Sequence, residues 1–443
     1  MAKITFFGAC NEVGRNAMLL EAKNKKILVD AGIKVGKGNP ELPNIPKELA
    51  KKIDAIIISH AHIDHCGYLP FLVKQGFEGK IFATPPTRDI MHLLLSDSAK
   101  IAKENKADFY GTKEIDKTMK QTVAINYNEE KQLFHDSQIK IKFLNAGHII
   151  GSAEIIIEFD GKKLLYSGDI NTRESNLLLP AELPKEKIDF LVMECTYAGK
   201  QDILPSMQKA SKDLADKIRQ VLKRNGKILI PSFAVGRGQE VMFTIDNYIR
   251  SGYLPEMDIW LDGMINKANR ICRHNVIFMR PEISNRILLA DDDAFKSPFF
   301  RQPVSKTKKE VFNSKKAVII ATSGMLTGGP SRQYLKKLAG DKKNCVILVG
   351  YQAEGSLGRE LLEGKKTIEL SGKKIFVQCE TCRIRFSGHA DYNGLLNFAF
   401  AIKAQKTFLI HGEKEKLPEF KKTLEKKLKK EILIPKETQA IEL

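Results

Sequence analysis

The strongest constraint on the fold is a ladder of short apolar runs in the first 198 residues, each bounded by turn residues. Examples are "KITFFG", "KKILVDAG", "DAIIISH" and "AEIIIEFDG". Runs of this length that are rich in Ile, Val and Phe are typical of β-strands, so the ladder predicts the two sheets of a sandwich. A stretch from residue 85, "PPTRDIMHLLLSDSAKIAKENK", has prolines at its start and apolar residues at helical spacing. It predicts a helix that covers one sheet.

The pattern changes after residue 198 to a helix followed by a strand, as in "PSMQKASKDLADKIRQVLKRNG" and "KILIPS". This alternation predicts a parallel sheet with flanking helices, and therefore a second domain of α/β architecture. Near residue 376 the earlier pattern returns with "KIFVQCETCRIRFSGHAD" and "KTFLIHGE". We therefore predict a first domain made of residues 1–198 and 377–443, interrupted by a second domain at residues 199–376.

The motif "HAHIDH" at residues 60–65 places three histidines and an aspartate directly after an apolar run. Side chains on a loop that leaves a buried strand can converge on one point while the strand holds them in place. Neutral imidazole suits zinc and similar ions, and a carboxylate adds a harder oxygen ligand. Four ligands from six residues do not fit comfortably around one ion. The motif therefore predicts two metal sites that residues from elsewhere complete.

Other apolar runs also end in histidine or aspartate, and these residues are His148, His389, His411, Asp30 and Asp169. Any one of these histidines alone is more simply explained as a core or surface residue. Six of the nine histidines follow strands in this way, which packing does not explain, so the set predicts a metal centre. The other three, His92, His135 and His274, lie in helical or loop contexts and are predicted to be structural.

The order of these motifs resembles that of a known family. Asp30, "HAHIDH", His148 and Asp169 resemble the motif set of the metallo-β-lactamase fold. "MECTY" with Glu194, "SGHAD" with His389 and "HGE" with His411 resemble three further motifs of its beta-CASP branch, which contains RNA-processing nucleases. This resemblance implies an α/β protein with a four-layer αββα metallo-β-lactamase fold and an inserted α/β beta-CASP domain.

Three glycine-containing blocks resemble the inserted beta-CASP domain: "IPSFAVGRGQE", "ATSGMLTGGPS" and "VGYQAEGSLGREL". They are closer to the endonuclease of the cleavage and polyadenylation factor than to RNase J. The metal-binding domain begins almost at Met1, and the chain shows no stretch resembling a KH module. The sequence therefore resembles the short, KH-less members of the family.

The resemblance implies a role for each motif residue. One zinc ion would be bound by His60, His62 and His148, and a second by Asp64, His65 and His411. Asp169 would bridge the two ions, and Asp30 would orient a ligand histidine. His389 would be the general acid, with Glu194 holding its ring. Cys195, where the family commonly has serine or alanine, is a small departure beside that motif.

Two zinc ions placed in this way would activate water for in-line attack on a phosphodiester. Cleavage would leave 5′-phosphate and 3′-hydroxyl ends. The departing 3′ oxygen needs a proton, which the implied general acid would supply.

An excess of 72 Lys and Arg over 53 Asp and Glu gives a net charge of +19, which favours a polyanionic partner. Within the glycine-containing blocks, the residues that could contact RNA phosphate are Arg237, Ser323, Gly324, Ser331 and Arg332. Their glycines serve tight turns equally well. The resemblance implies that these residues face the metal site across a cleft. The stretch "EKLPEFKKTLEKKLKKE" near the C-terminus predicts an amphipathic helix whose basic face is either solvated or in contact with RNA.

The resemblance therefore implies a zinc-dependent ribonuclease that acts on single-stranded RNA in processing or decay, as an endonuclease, a 5′–3′ exonuclease or both. Two alternatives remain, a catalytically silent RNA-binding subunit and a hydrolase of small thioesters or lactams. The seven scattered cysteines favour a reducing compartment. A signal-peptide core and an apolar run of membrane-spanning length are both missing, so we expect a cytoplasmic protein without a membrane partner. A homodimer is suggested by the family resemblance alone.

Overall fold

A computed structural model of the chain describes residues 2–34, 40–104, 110–290, 292–304, 308–314, 316–370 and 372–443. The chain forms two compact units. The first unit contains Met1–Glu174, Leu179–Ile203 and His389–Leu443, and the second contains Ser175–Leu178 and Leu204–Gly388. Within the described ranges, no helix is both long enough and apolar enough to cross a lipid bilayer.

The described residues form the following elements. The strands are β1 (Lys3–Phe6), β2 (Met18–Ala22), β3 (Lys25–Val29), β4 (Ala55–Ile57), β5 (Lys80–Ala83), β6 (Thr122–Ala124), β7 (Glu130–Gln132), β8 (Lys140–Asn145), β9 (Ala153–Phe159), β10 (Lys162–Tyr166), β11 (Phe190–Glu194), β12 (Ile228–Pro231), β13 (Asp258–Asp262), β14 (Phe300–Arg301), β15 (Ala317–Ala321), β16 (Cys345–Leu348), β17 (Thr367–Leu370), β18 (Lys373–Phe376), β19 (Glu380–Arg383), β20 (Lys406–Ile410), β21 (Glu431–Leu433) and β22 (Ala440–Glu442). The α-helices are α1 (Ile63–Cys66), α2 (Leu69–Lys74), α3 (Pro85–Glu104), α4 (Thr112–Gln121), α5 (Met207–Lys223), α6 (Arg237–Arg250), α7 (Ile265–His274), α8 (Pro281–Leu289), α9 (Lys308–Asn313), α10 (Gly329–Leu338), α11 (Leu357–Leu362), α12 (Tyr392–Ile402) and α13 (Leu417–Leu428). Short 3₁₀ helices span Lys47–Lys52, Val276–Phe278 and Ala294–Lys296.

The first unit is built on two seven-stranded sheets, in the orders β22-β1-β2-β3-β4-β5-β6 and β21-β20-β11-β10-β9-β8-β7. Alternate residues of facing strands form one core between the sheets, including Phe6, Leu20, Ile155, Tyr166 and Phe408. Successive side chains of a β-strand point to opposite faces of the sheet, so alternate residues are buried on one face. Each predicted apolar run of the first 198 residues is therefore one strand of this sandwich.

Helices cover the outer face of each sheet in the first unit. The residues of β4 and β5 that point away from the inter-sheet core, Ile56 and Ile81, are fully buried, and α3 and α4 pack against β6 and β5. On the second sheet, Leu395 of α12 and Phe420 of α13 join a core that includes Ile156 of β9. The predicted four-layer αββα arrangement is confirmed, and the helix predicted from residue 85 is α3 up to Glu104, with the rest of the quoted stretch outside the described residues.

The second unit contains a six-stranded sheet in the order β14-β13-β15-β12-β16-β19 and a separate β17-β18 hairpin. All five strand pairs of the larger sheet are parallel, which confirms the predicted parallel architecture. α5 begins after Ser206, whose hydroxyl accepts a hydrogen bond from the Lys209 amide and caps the helix.

The two compact units divide the chain at residues that differ from the domain boundary predicted at 377. β19 pairs in parallel with β16, Cys345 opposite Glu380, so residues 377–388 belong to the second unit and the first unit resumes at His389. The boundary predicted between residues 198 and 199 also differs. Residues 199–203 belong to the first unit, and Ser175–Leu178 belong to the second. Apolar alternation identifies a strand but does not say which sheet it joins.

Candidate metal centre

The candidate site lies where strands of the first unit end. β3 and β4 are parallel neighbours, and so are β10, β11 and β20. Parallel neighbours present their carboxyl ends at the same edge of a sheet. The residues that follow these ends are Asp30 after β3, His60 after β4, Asp169 after β10, Glu194 at the end of β11 and His411 after β20.

Local backbone geometry places several of these residues. Asp30 and His411 have φ angles of 58° and 51°, in the left-handed region that residues with a Cβ adopt at a cost of about 1–3 kcal/mol. The His411 amide donates to the Ala9 carbonyl at 2.8 Å, and the Asp30 amide donates to the Ile57 carbonyl at 2.9 Å. Gly168, with φ 53°, lies so close to Ser59 that a Cβ there would meet the Ser59 Cβ at 2.8 Å. This packing fixes the turn that carries Asp169.

Four buried or partly buried side chains form the first cluster, namely His60, His62, His148 and Asp169. His60 Nε2 and His148 Nε2 each lie 3.6 Å from Asp169 Oδ2. His62 Nδ1 lies 3.2 Å from His60 Nε2 and 3.1 Å from His148 Nε2. One carboxylate oxygen and three imidazole nitrogens thus converge on one point, and their assignment to the first metal remains a prediction.

The second cluster consists of Asp64, His65 and His411. His411 Nε2 lies 3.4 Å from Asp64 Oδ2, and His65 Nε2 lies 3.4 Å from Asp169 Oδ1. The two oxygens of Asp169 therefore face different clusters. This is the arrangement that a bridging carboxylate needs, and the assignment of Asp169 as the bridging ligand remains a prediction.

The residues present fit divalent metals. Among the described residues, Asp169 Oδ1 and His411 Nε2 are buried without a hydrogen-bond partner. Buried polar atoms without a partner are costly, so their presence at one point indicates that something else binds there. A set of imidazoles and carboxylates matches zinc in both donor type and number.

Electrostatics at the site also favour cations. Burial lowers the pKa of His62 to about 4 and that of His60 well below its ordinary value, so both imidazoles are neutral, as metal ligands must be. Burial also opposes the charged form of His411, but the carboxylates of Asp169 and Asp64 dominate and raise its pKa to about 10. The local excess of negative charge is what a bound cation would neutralise.

Asp30 does not face either cluster directly but holds His65. Its Oδ2 lies 2.6 Å from His65 Nδ1 and also accepts hydrogen bonds from the hydroxyls of Ser59, at 2.7 Å, and Tyr166, at 2.9 Å. Its Oδ1 accepts from the Ser59 amide at 2.8 Å. A fully buried carboxylate on Nδ1 favours the tautomer whose Nε2 is free to bind a metal. This geometry agrees with the orienting role predicted for Asp30.

His389 and Glu194 form a pair at the edge of the first cluster. His389 Nδ1 lies 3.0 and 3.2 Å from the two Glu194 oxygens, and its ring centroid is 4.4 Å from that of His148. Glu194 is held in turn by the amides of Ile170, at 2.8 Å, and Thr196, at 3.3 Å. Burial lowers the pKa of His389, but the carboxylates of Glu194 and Asp169 outweigh burial and raise it. The two carboxylates thus favour the protonated form of the His389 imidazole, which is the form that can donate a proton.

Two residues near the centre were missed by sequence reasoning. The Asn16 side-chain nitrogen lies 3.0 Å from His65 Nε2, and the residue is almost completely buried. The Thr196 hydroxyl lies 3.3 Å from His411 Nδ1. A lone Asn and a lone Thr carry no spacing signal, so only the fold reveals these contacts. His92, His135 and His274, predicted to be structural, are exposed and belong to neither cluster.

The residues predicted to contact RNA phosphate lie in the second unit. Arg237 is the first residue of α6, after Gly236 at φ 78°. Ser323 Oγ accepts hydrogen bonds from the amides of Thr327, at 3.0 Å, and Gly328, at 3.2 Å, and so helps to close its own loop.

Two of these residues have structural roles. A Cβ at Gly324 would meet the Phe233 amide nitrogen at 2.9 Å, so close packing requires glycine there. Ser331 is fully buried, and its hydroxyl donates to the Ser323 carbonyl at 2.9 Å, which is a structural role rather than the predicted phosphate contact. For Arg237, Ser323, Gly324 and Arg332 the contact stays a prediction.

Comparison with known families gives three matches along the chain. Residues 19–192 match the metallo-beta-lactamase superfamily domain, residues 238–361 match the Beta-Casp domain, and residues 374–435 match the Zn-dependent metallo-hydrolase RNA specificity domain. The matched ranges include the HAHIDH motif and both Asp169 and His411.

Several named proteins are similar over nearly the whole chain. An RNase J-like protein of Methanocaldococcus jannaschii is 39% identical, over 98% of this chain and 98% of that protein. Transcription termination factor FttA of Methanothermobacter thermautotrophicus is 38% identical, over 94% of this chain and 68% of the factor. A crystal structure of a protein of unknown function from Enterococcus faecalis V583 superposes with a TM-score of 0.60 at 15% identity and covers 99% of both chains, which supports the fold alone.

Proposed function

This chain belongs to the beta-CASP family of the metallo-β-lactamase superfamily and is a metal-dependent hydrolase, and from that premise we propose that it is a zinc-dependent ribonuclease that hydrolyses single-stranded RNA. The observation that carries this proposal is the position of Asp169. Its two carboxylate oxygens face two separate groups of histidine and aspartate side chains. A site for one metal ion, or a purely structural site, does not require a carboxylate whose two oxygens face separate clusters.

These contacts support the proposed ligand assignment. His60, His62 and His148 would hold one zinc ion, and Asp64, His65 and His411 the other, with Asp169 between them. When bound, two such ions supply an activated water and neutralise charge on the phosphate. Asp30 holds Nδ1 of His65, which leaves Nε2 of the ring for the metal.

The chain's own acid completes the reaction. A departing 3′ oxygen is a poor leaving group unless it is protonated, and His389, whose pKa the carboxylates of Glu194 and Asp169 raise, is the imidazole beside the first cluster that can supply the proton. Glu194 fixes the ring and stabilises its charge. Protonation of the 3′ oxygen leaves a 3′-hydroxyl on one fragment and a 5′-phosphate on the other.

The two alternative functions are less well supported. A silent RNA-binding subunit has no need of every ligand, whereas all seven predicted ligands lie together here. A hydrolase of small substrates has no need of the Glu194–His389 pair. The printed names of the relatives, RNase J-like protein and transcription termination factor, also favour an RNA substrate. The seven free cysteine thiols, all within the described ranges, suit the cytoplasm, where we propose that the protein acts.

The test is a time course on one RNA labelled separately at its 5′ and 3′ ends, with and without a chelator. Internal fragments that disappear with the chelator would support an endonuclease, and mononucleotides released from the 5′ end would support an exonuclease. The new 5′ ends should accept a labelled phosphate only after phosphatase treatment. Intact RNA in the presence of zinc-loaded protein would contradict the proposed activity.

A further inference from the structure

A dense group of exposed lysines surrounds the C-terminal end of α13. The group, called here the α13 basic surface, consists of Lys403, Lys422, Lys426, Lys427, Lys429 and Lys430, all of which are exposed. The buried face of α13 carries Leu417, Phe420 and Leu424, so the lysines point to solvent by helical periodicity. Lys427 Nζ lies 5.1 Å from the ring centroid of the half-buried Phe400.

The acidic residues around this surface are already paired with other lysines. Glu419 pairs with Lys200 at 2.6 Å, and Glu425 pairs with Lys421 at 3.6 Å. Glu431 pairs with Lys406 at 3.4 Å. In the described part of the chain, no carboxylate forms an ion pair with any of the six lysines of the α13 basic surface. The surface therefore presents uncompensated positive charge.

Two of these lysines occupy backbone positions that favour glycine. Lys403 ends α12 at φ 52° and Lys429 ends α13 at φ 53°, both in the left-handed conformation. Glycine commonly caps helices at this conformation because it has no Cβ to strain. The helix dipole stabilises a lysine anywhere in the last turn of a helix. It therefore does not explain why the lysine occupies the one residue whose backbone is strained. Lys403 precedes β20 and Lys429 precedes β21, and these strands are parallel neighbours, so the two lysines lie at the same edge of the sheet. Two lysines at strained positions on one edge indicate that their charge has a function.

The topology sets the distance between this surface and the metal centre. α13 connects the parallel strands β20 and β21, and Lys406 at the start of β20 lies opposite Glu431, the residue after the basic surface. His411 follows the other end of β20. Five residues of strand separate the two ends by about 17 Å. A stacked strand with about 3.4 Å per nucleotide needs roughly five nucleotides to span that distance.

We propose that the α13 basic surface is a docking site for the phosphate backbone of RNA at a distance from the cleaved bond, so that it holds only substrates long enough to reach it. The proposal rests on the ribonuclease function proposed above. Lysines without carboxylate partners bind phosphate as point charges and release counterions, which gives affinity without reading bases. The half-buried Phe400 beneath Lys427 offers a ring face to a base that follows the backbone.

The test replaces both left-handed lysines with glycine, Lys403→Gly and Lys429→Gly, in the zinc-loaded protein. Glycine relieves the strain, so the melting temperature should rise, while binding of a labelled 20-nucleotide RNA should weaken. The slope of log Kd against log salt should become shallower by about 1.4, because each phosphate of a single strand that a lysine no longer neutralises reduces the slope by about 0.7. Binding is read by fluorescence anisotropy under conditions in which the RNA stays intact on a gel.

The matched control is Lys23→Gly. Lys23 is also a lysine at positive φ, 50°, in the first unit, but it is paired with Asp160 at 2.5 Å and lies outside the basic surface. This variant should gain stability and leave RNA binding unchanged. Hydrolysis of a four-nucleotide RNA should be equal in all three proteins, because that substrate does not reach α13.

The outcomes separate this proposal from the proposed ribonuclease function. An unchanged salt slope in the double variant, or the same weakening in Lys23→Gly, would overturn the docking site even if RNA is cleaved. Weaker binding to polyglutamate with unchanged binding to RNA would also overturn it and would identify an acidic protein as the partner. Loss of RNA binding in the double variant, with no cleavage by any variant, would support the docking site and contradict the ribonuclease function.

Discussion

Replacing Glu194 with glutamine tests the role of the pair that it forms with His389. The carboxylate accepts from the Ile170 amide on Oε1 and from the Thr196 amide on Oε2, and both oxygens face His389 Nδ1. Glutamine keeps the shape but turns one acceptor into a donor and removes the negative charge beside the imidazole. One backbone amide would lose its acceptor, and this loss should lower the free energy of unfolding by about 1–3 kcal/mol.

The magnitude for catalysis follows from the hydrogen bond that the substitution removes. A hydrogen bond to a charged partner contributes about 1.5–3 kcal/mol, and each 1.4 kcal/mol is a tenfold change in rate. Since the charge on His389 is needed only when the leaving oxygen takes its proton, Glu194→Gln should cleave RNA roughly 10- to 150-fold more slowly. His389→Ala removes the acid altogether and should lose about 10²–10⁴-fold.

The assay compares RNA with bis(p-nitrophenyl) phosphate. The p-nitrophenolate group departs without a proton, so Glu194→Gln and His389→Ala should hydrolyse this ester at nearly the wild-type rate while losing RNA cleavage. Metal content, measured on the same samples, should be unchanged. Equal losses on the two substrates would refute the assignment of His389 as proton donor, and loss of metal would identify it as a ligand.

Three further predictions follow from single contacts. Asp30→Asn should weaken binding of the second metal about 10- to 100-fold in competition with a chelator, because Asp30 holds His65 Nδ1 and so orients Nε2 toward the metal. Gln121→Ala, which loses an amide that donates only to backbone carbonyls, should not. Asp169→Ala should lose both metals by elemental analysis, and two zinc ions retained per chain would disprove the bridging role. Burial, and then the charge of Glu182, raise the pKa of the unpartnered Glu154, so folding stability falls as pH rises above its unfolded pKa of about 4.3. Glu154→Gln should therefore raise the melting temperature more at mildly alkaline than at mildly acidic pH, and an equal change at both would contradict the shift.

Much of the first unit could be predicted from the sequence because its signals are local. Each apolar run before Cys195 became a strand, and the residue after a strand is placed by the strand itself. Parallel pairing then brings the strand exits together, as with Asp169 after β10 and His411 after β20. The family resemblance carried by these ordered motifs was enough to predict which residues lie together in the two clusters, and their binding of metal remains a prediction.

The errors arose where local pattern does not determine partners. The stretch "KIFVQCETCRIRFSGHAD" resembles the strand-containing stretches of the first unit, yet β19 within it pairs with β16 in the second unit. The contact of Asn16 with His65 joins residues 49 positions apart, without any spacing signal. Ser331 lies in a glycine-rich stretch and was predicted to contact phosphate. In the structure it is buried, and its hydroxyl donates a hydrogen bond to the Ser323 carbonyl.

The most direct test of the two-metal ribonuclease is a zinc titration of metal-free protein, with bound zinc and RNA cleavage followed in the same samples. The account predicts that zinc binds to two equivalents per chain and that cleavage appears as the second equivalent is taken up. Cleavage that persists without metal, or a protein that binds no zinc, would contradict it.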